Sequence, residues 1–132
     1  MLLWGIHRRG SDLRVTFPTP YAVGHHVYSS TTTDGYNREI PVYTPARDAP
    51  GVSNPVYGWA NPVNSEPKVA GHDRVVVEME LYAPPAFHPG PQDLIDIPGS
   101  GQFEVIGYPE DYNHGPFGFQ PGYVINLRRV EG

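Results

Sequence analysis

Residues 73–82, Asp-Arg-Val-Val-Val-Glu-Met-Glu-Leu-Tyr, alternate apolar and polar side chains with a period of two. On an extended chain that spacing puts Val75, Val77, Met79 and Leu81 on one face and Val76, Glu78, Glu80 and Tyr82 on the other. A strand with one buried face is the expectation, and Pro84-Pro85 ends it. Outward from this stretch, Asp93–Ile97 and Gln102–Tyr108 flank Pro98-Gly99-Ser100-Gly101, a hairpin signal. Phe103 and Val105 then share a face. Gly122–Val130 sets Tyr123, Ile125 and Leu127 opposite Asn126 and Arg128.

The first half is less regular. Leu13, Val15 and Phe17 alternate before Pro18, and Pro20–Asn37 is a polar segment holding His25-His26 and Ser29–Thr33. Asp34-Gly35 suits a turn returning along Arg38–Tyr43, with Pro41 confining that strand to an edge or a bulge. Residues 44–55 read as loop, Val56–Ala60 as a short strand, and Asn61–His72 as loop. The expectation is therefore all-β: a small antiparallel β-barrel or sandwich of about seven short strands, with long Pro/Gly-rich loops or arms. A single domain over 1–132 is expected, its β core mainly 56–130, with 1–55 partly extended arm and loops.

Composition narrows the function. A chain of 132 residues has room for one domain burying roughly two-thirds of its unfolded surface. Gly 15 and Pro 16 leave little room for a long helix. There are no cysteines, so no disulfide or thiolate metal site. The start, Met-Leu-Leu-Trp-Gly-Ile-His-Arg-Arg, runs apolar then basic, the reverse of a signal peptide, and no stretch has the length of an apolar membrane span. Lys68 is the single lysine against eight arginines, a bias for which GC-rich codons are the simpler explanation and selection for Arg-mediated contacts the sharper one. The net charge is −5, with basic pairs only at Arg8-Arg9 and Arg128-Arg129, which does not suit a sequence-specific duplex binder.

Chemistry is sparse. His25 and His26 are adjacent, so on a strand they point to opposite faces and cannot share an ion. His7, His72, His88 and His114 are scattered, and satisfied surface or loop histidines are expected instead of ligands. Asp93 and Asp96 fall on opposite faces of one strand, a poor spacing for a carboxylate dyad. No G-x-S-x-G turn and no phosphate-cradling glycine loop occurs. No enzyme, cofactor or metal is expected. Nine tyrosines and two tryptophans suit either stacking platforms for glycans or protein–protein contacts, and composition leaves both open.

The stretch Asp93-Leu-Ile-Asp-Ile-Pro-Gly-Ser-Gly-Gln-Phe-Glu-Val-Ile-Gly-Tyr-Pro-Glu-Asp-Tyr112 resembles the head-completion, or head-to-tail stopper, proteins of siphophages, especially those of actinobacterial hosts. Their order is a strand, a glycine-containing tip, a strand ending Val-x-Gly-x-Pro, and an aromatic turn. Here that turn is Tyr112–Gly122, followed by a last strand ending Leu127-Arg-Arg-Val130. Those proteins often carry Trp where Tyr112 stands. The resemblance covers residues 73–132 well, 56–60 weakly, and 1–50 hardly at all.

The resemblance implies a small β-barrel subunit of a sixfold ring in the virion neck, assembled in the host cytoplasm with no membrane association. Its partners are further copies of itself, a head-tail adaptor above, and a tail terminator or tail tube below. Double-stranded DNA passes through without sequence-specific contact, and an acidic lining keeps it sliding. Candidate channel-gating residues are Asn64, Ser65, Glu66 and Lys68, with Pro20–Asn37 as the alternative gate. Candidate contacts between subunits or with neighbours are Trp4, Tyr28, Tyr36, Trp59, Tyr112, Phe117 and Phe119. A tail terminator or another joining protein is the nearby alternative; adaptors are usually helical and fit less well. From different classes come an aromatic-based glycan-binding β module and a metal-dependent β-barrel enzyme, which a stoichiometric bound metal would revive.

Overall fold

The computed structural model describes residues 17–33, 35–62 and 66–130. Trp4, Leu13, Val15, Asp34, Asn64 and Ser65 lie outside the described residues. The fold is all-β and antiparallel, as the alternation predicts. It comprises β1 (Tyr21–Thr33), β2 (Glu39–Thr44), β3 (Val52–Val56), β4 (Gly58–Ala60), β5 (Val69–Ala70), β6 (Val75–Val76), β7 (Met79–Ala83), β8 (Leu94–Ile97), β9 (Gly101–Val105), β10 (Glu110–Asp111) and β11 (Tyr123–Arg129). Nine strands form one sheet in the order β2-β1-β8-β9-β11-β7-β4, with β3 on β1 and β10 on β11, while β5 and β6 form a separate hairpin.

The sheet is not closed into a continuous barrel. Its two ends are instead bridged by one kinked segment: β3 pairs with the first half of β1, and β4, just past Tyr57, pairs with β7. The Tyr57 amide still donates to the Tyr82 carbonyl across the kink, at 2.9 Å. The curled, sandwich-like sheet encloses Val23, Val56, Met79, Leu81, Phe87, Ile95, Ile97, Phe103, Val105, Ile125 and Leu127. At roughly 1.5–3 kcal/mol for each fully buried large apolar side chain, this cluster is the main source of stability.

The alternation at 75–82 holds in the burial pattern: Val77, Met79 and Leu81 are buried, and Val76 and Glu78 are exposed. The ladder itself is split, because the Val77 and Glu78 amides turn to the carbonyls of Lys68 and Leu127. The β8–β9 hairpin forms where expected, with Ile97 paired to Gly101 and the Ser100 amide closing on Ile97. Gly99 and Gly101 carry the positive φ angles of that tip.

Two expectations are corrected. The polar segment Pro20–Asn37, also offered as a gate loop, is mostly β1, the longest described strand, and it pairs with the expected return strand as β2. Residues 44–55 are not all loop, since 52–55 belong to β3. The sheet therefore starts at Tyr21, well before the 56–130 expected to carry the core. Alternation fails to reveal β1 because its two faces are buried by different things. Val23 faces the core, while Gly24 and His26 face a strap, residues 45–51, that crosses the outside of the strand. Gly51 lies so close that a Cβ there would stand 2.6 Å from the His25 amide nitrogen, so only glycine fits.

Candidate functional site

Beyond His26, β1 leaves the core. Among the described residues, Val27–Thr33 pair only with β2 (Glu39–Thr44), with an irregularity between Tyr28 and Ser30, and form a two-stranded ribbon. Ser29–Thr33 and Glu39–Pro41 are exposed throughout, so the outer part of the ribbon has no buried face. Pro41 sits in β2, at the end of the sheet order, so the predicted edge position holds. Val27 and Ile40 are large apolar side chains left 47% and 41% exposed on this ribbon.

The ribbon is rooted by a hydrogen-bond circuit. His26 is fully buried, with Nδ1 3.0 Å from the Pro45 carbonyl and Nε2 2.6 Å from Asp96 Oδ2. Gln102 Nε2 donates to Asp96 Oδ1 at 3.0 Å and to the Arg47 carbonyl at 3.2 Å. The circuit therefore leaves the strap at residue 45, crosses β1, β8 and β9, and returns to the strap at residue 47. On the core face, His25 Nε2 stands 2.7 Å from Asp93 Oδ2, and its ring meets Phe87 edge-on at 5.2 Å. Asp93 also accepts the amides of Tyr28 and Gly90. The two histidines do face opposite ways, and so do their aspartates, each carboxylate holding one ring.

These pairings were invisible to the spacing argument, which weighs Asp93 and Asp96 only against each other. The partner of His26 lies 70 positions away and is found only when β1 docks on β8. A faint signal exists: Gly24 and His26 on one strand face match Asp96 in the register of Gly24↔Asp96.

A second polar cluster surrounds Lys68. Its ammonium bridges Glu80 and Glu110, the latter at 2.8 Å. Tyr82 Oη donates to Glu80, Tyr112 Oη to Glu110, and Asn126 Nδ2 to Glu110. Burial pulls the ammonium down, but its bonds to Glu110 and Glu80 outweigh that and raise it above the usual lysine value. Burial pushes the Glu110 carboxyl up, and bonds from Lys68 and Asn126 outweigh that to hold it below the usual carboxylate value. Of the four residues expected at a gate, Lys68 is thus tied down half-buried, and Glu66 is exposed. Glu80 likewise departs from the solvated face expected for Glu78 and Glu80.

The expected contact aromatics divide. Trp59 packs on the core beside Tyr21, and Tyr28 packs on Tyr43. Tyr36 is 82% exposed near the ribbon's turn, with the Arg38 guanidinium over its ring. Tyr112, Phe117 and Phe119 fall at another end, where Phe119 and Tyr57 both stand edge-on to Phe17. A small hollow of about 160 Å³ there is lined by Tyr57, Tyr82, Tyr112, Pro121 and Tyr123. Phe117 is 98% exposed in a left-handed conformation, φ 59° and ψ 25°.

Among the described residues no group of three or more His, Asp or Glu side chains is placed to hold a metal ion. Among the described residues no helix is long and apolar enough to cross a membrane. Comparison with family models, with curated proteins and with solved structures finds no match to this chain.

Proposed function

We propose that the chain is a structural subunit of a phage neck, a head-to-tail stopper that assembles as a ring, retains packaged DNA and presents a docking surface to the tail. The observation that carries this reading is the β1–β2 ribbon. A two-stranded ribbon with no buried face has little stability of its own, and open edges invite pairing with another chain. Such a ribbon, rigidly rooted in a curled sheet, is what a subunit needs to reach a neighbour, and a head-to-tail contact of this kind gives a ring when the rotation between copies closes. The net charge of −5 agrees with a conduit that repels DNA. The order of strands, tip and aromatic turn over 93–130 carries the resemblance to stoppers.

Removing the gene from its source phage, with electron microscopy and a DNA-content assay of the particles, tests the proposal. Tail-less heads that have lost their DNA are the expected result. Tail-less heads that keep it would move the role to a tail terminator or another joining protein. Complete virions that adsorb poorly would overturn the neck reading. The exposed aromatics of the Tyr112–Gly122 turn, Tyr112, Phe117 and Phe119, would then favour glycan binding.

A further inference from the structure

His26 presents a hydrogen-bond inventory that a neutral ring cannot meet. Both ring nitrogens face acceptors, the Pro45 carbonyl at 3.0 Å and an Asp96 carboxylate oxygen at 2.6 Å, in a site that excludes water from the ring. A neutral imidazole has one N–H and one lone pair, so one acceptor would face a lone pair. An unpaired buried polar group is costly, and native structures avoid it. The arrangement is satisfied when Nδ1 carries a proton for Pro45 and a further proton lies between Nε2 and Asp96.

The position of the ring gives this proton a structural consequence. His26 is the last residue of β1 paired to β8, and Val27 is the first paired to β2. Pro45 is the first residue after β2, so the ring joins both strands of the ribbon to the core. We infer that His26, protonated on both nitrogens, is a latch at the root of the β1–β2 ribbon, and that loss of the shared proton frees the ribbon and strap while the sheet stays folded.

The groups facing the ring are few. Asp96 comes from β8, the Pro45 carbonyl from the strap and neutral Gln102 from β9, with the Arg47 guanidinium one bond further at 3.4 Å from Gln102 Oε1. Asp93 is engaged by His25 on the opposite face. The latch is complete while the ring holds both protons, and it loses one of its two bonds when the proton between Nε2 and Asp96 leaves. The inference stands independently of the neck proposal.

The test follows two signals in the full-length protein across pH. Ring nitrogen NMR shifts report the protonation of His26, and hydrogen exchange corrected for intrinsic rates reports the ribbon amides. Both His26 nitrogens should read as protonated at the low end. Protection of the amides of 30–33, 39, 40 and 42–44 should fall roughly tenfold or more as the ring loses its proton, the loss expected for one charge-assisted hydrogen bond. Protection in β9 and β11 should not change. H26Q, whose two N–H donors sit on one nitrogen and so do not reach acceptors facing two different ring nitrogens, should show the low protection at every pH. One ring nitrogen unprotonated throughout would overturn the inference, as would ribbon protection that ignores the ring's titration. A ring that stays doubly protonated up to global unfolding would overturn the release. The wild-type signals decide the matter even if H26Q does not fold.

Discussion

Lys68 Nζ lies 2.8 Å from Glu110 Oε2 and also bonds Glu80, so the chain's single lysine ties the β5 segment to β7 and β10 at once. Lys68 and Glu110 each hold the other in its charged form. Replacing the ammonium leaves two half-buried carboxylates against one another, which is worse than losing a surface ion pair.

K68M is expected to lower stability by about 1–2 kcal/mol, more than an exposed pair contributes and less than a fully buried one. Urea denaturation checks this. A loss below about 0.3 kcal/mol would show the bridge to be a solvated surface pair.

The same pair sets a pH window. Glu110 titrates lower folded than unfolded, so its contribution is present above the unfolded carboxylate value, about 4.3, and is lost as pH falls through the folded value. Lys68 titrates higher folded, so its contribution is present below about 10.4 and is lost as pH rises through the folded value. Denaturation midpoints should form a plateau between those limits, and in K68M the acid limb should flatten. An unchanged acid limb would assign acid sensitivity to other carboxylates.

Two glycines with positive φ should behave differently. A Cβ on Gly122 would stand 1.9 Å from the Ala83 carbonyl oxygen, whereas one on Gly99 meets nothing within 4 Å. G99A should cost about 1–2 kcal/mol, the left-handed penalty alone. G122A must also break the β7–β11 approach, and a loss above about 4 kcal/mol, or failure to fold, is expected. Similar midpoints for the two variants would contradict the close packing of β11 on β7.

Phe117 holds left-handed backbone with its ring 98% exposed. F117G should raise stability by about 1 kcal/mol, since the left-handed penalty disappears and no packing is lost. A thermal midpoint that drops instead would mean the ring is packed against something in solution.

Ile40 lies 41% exposed on the outer ribbon. I40D should change folding stability by less than about 0.5 kcal/mol. On the neck proposal it should nonetheless fail to restore DNA retention and tails to heads lacking the wild-type protein. Full restoration would remove the outer ribbon face from the assembly contacts.

What the sequence discloses follows from how each element is buried. Met79 and Leu81 face one core across a sheet whose other side is polar, so period two is visible. The 97–101 turn is written in glycine and proline. β1 is opaque because Val23 faces the core while Gly24 and His26 face the strap, and the run Ser29–Thr33 faces solvent. No single periodicity describes a strand with three environments. The partners of Lys68 and His26 are not legible for one reason: a charged or titratable side chain looks solvated until its distant carboxylate is brought beside it by the register of other strands.

The way β1 is anchored has a mechanical side. Between Tyr21 and His25 it is bonded to β3, and between Gly24 and His26 to β8 on its other edge. A pull on the ribbon along the axis of β1 therefore loads both ladders in shear, so their hydrogen bonds must yield together. A pull across the sheet would unzip them one by one. Single-molecule extension with one handle at the ribbon tip and the other at residue 130 should show rupture forces that depend on direction. The ribbon can then act as a tension-bearing strut, carrying load from a neighbouring molecule into the sheet without peeling its own root.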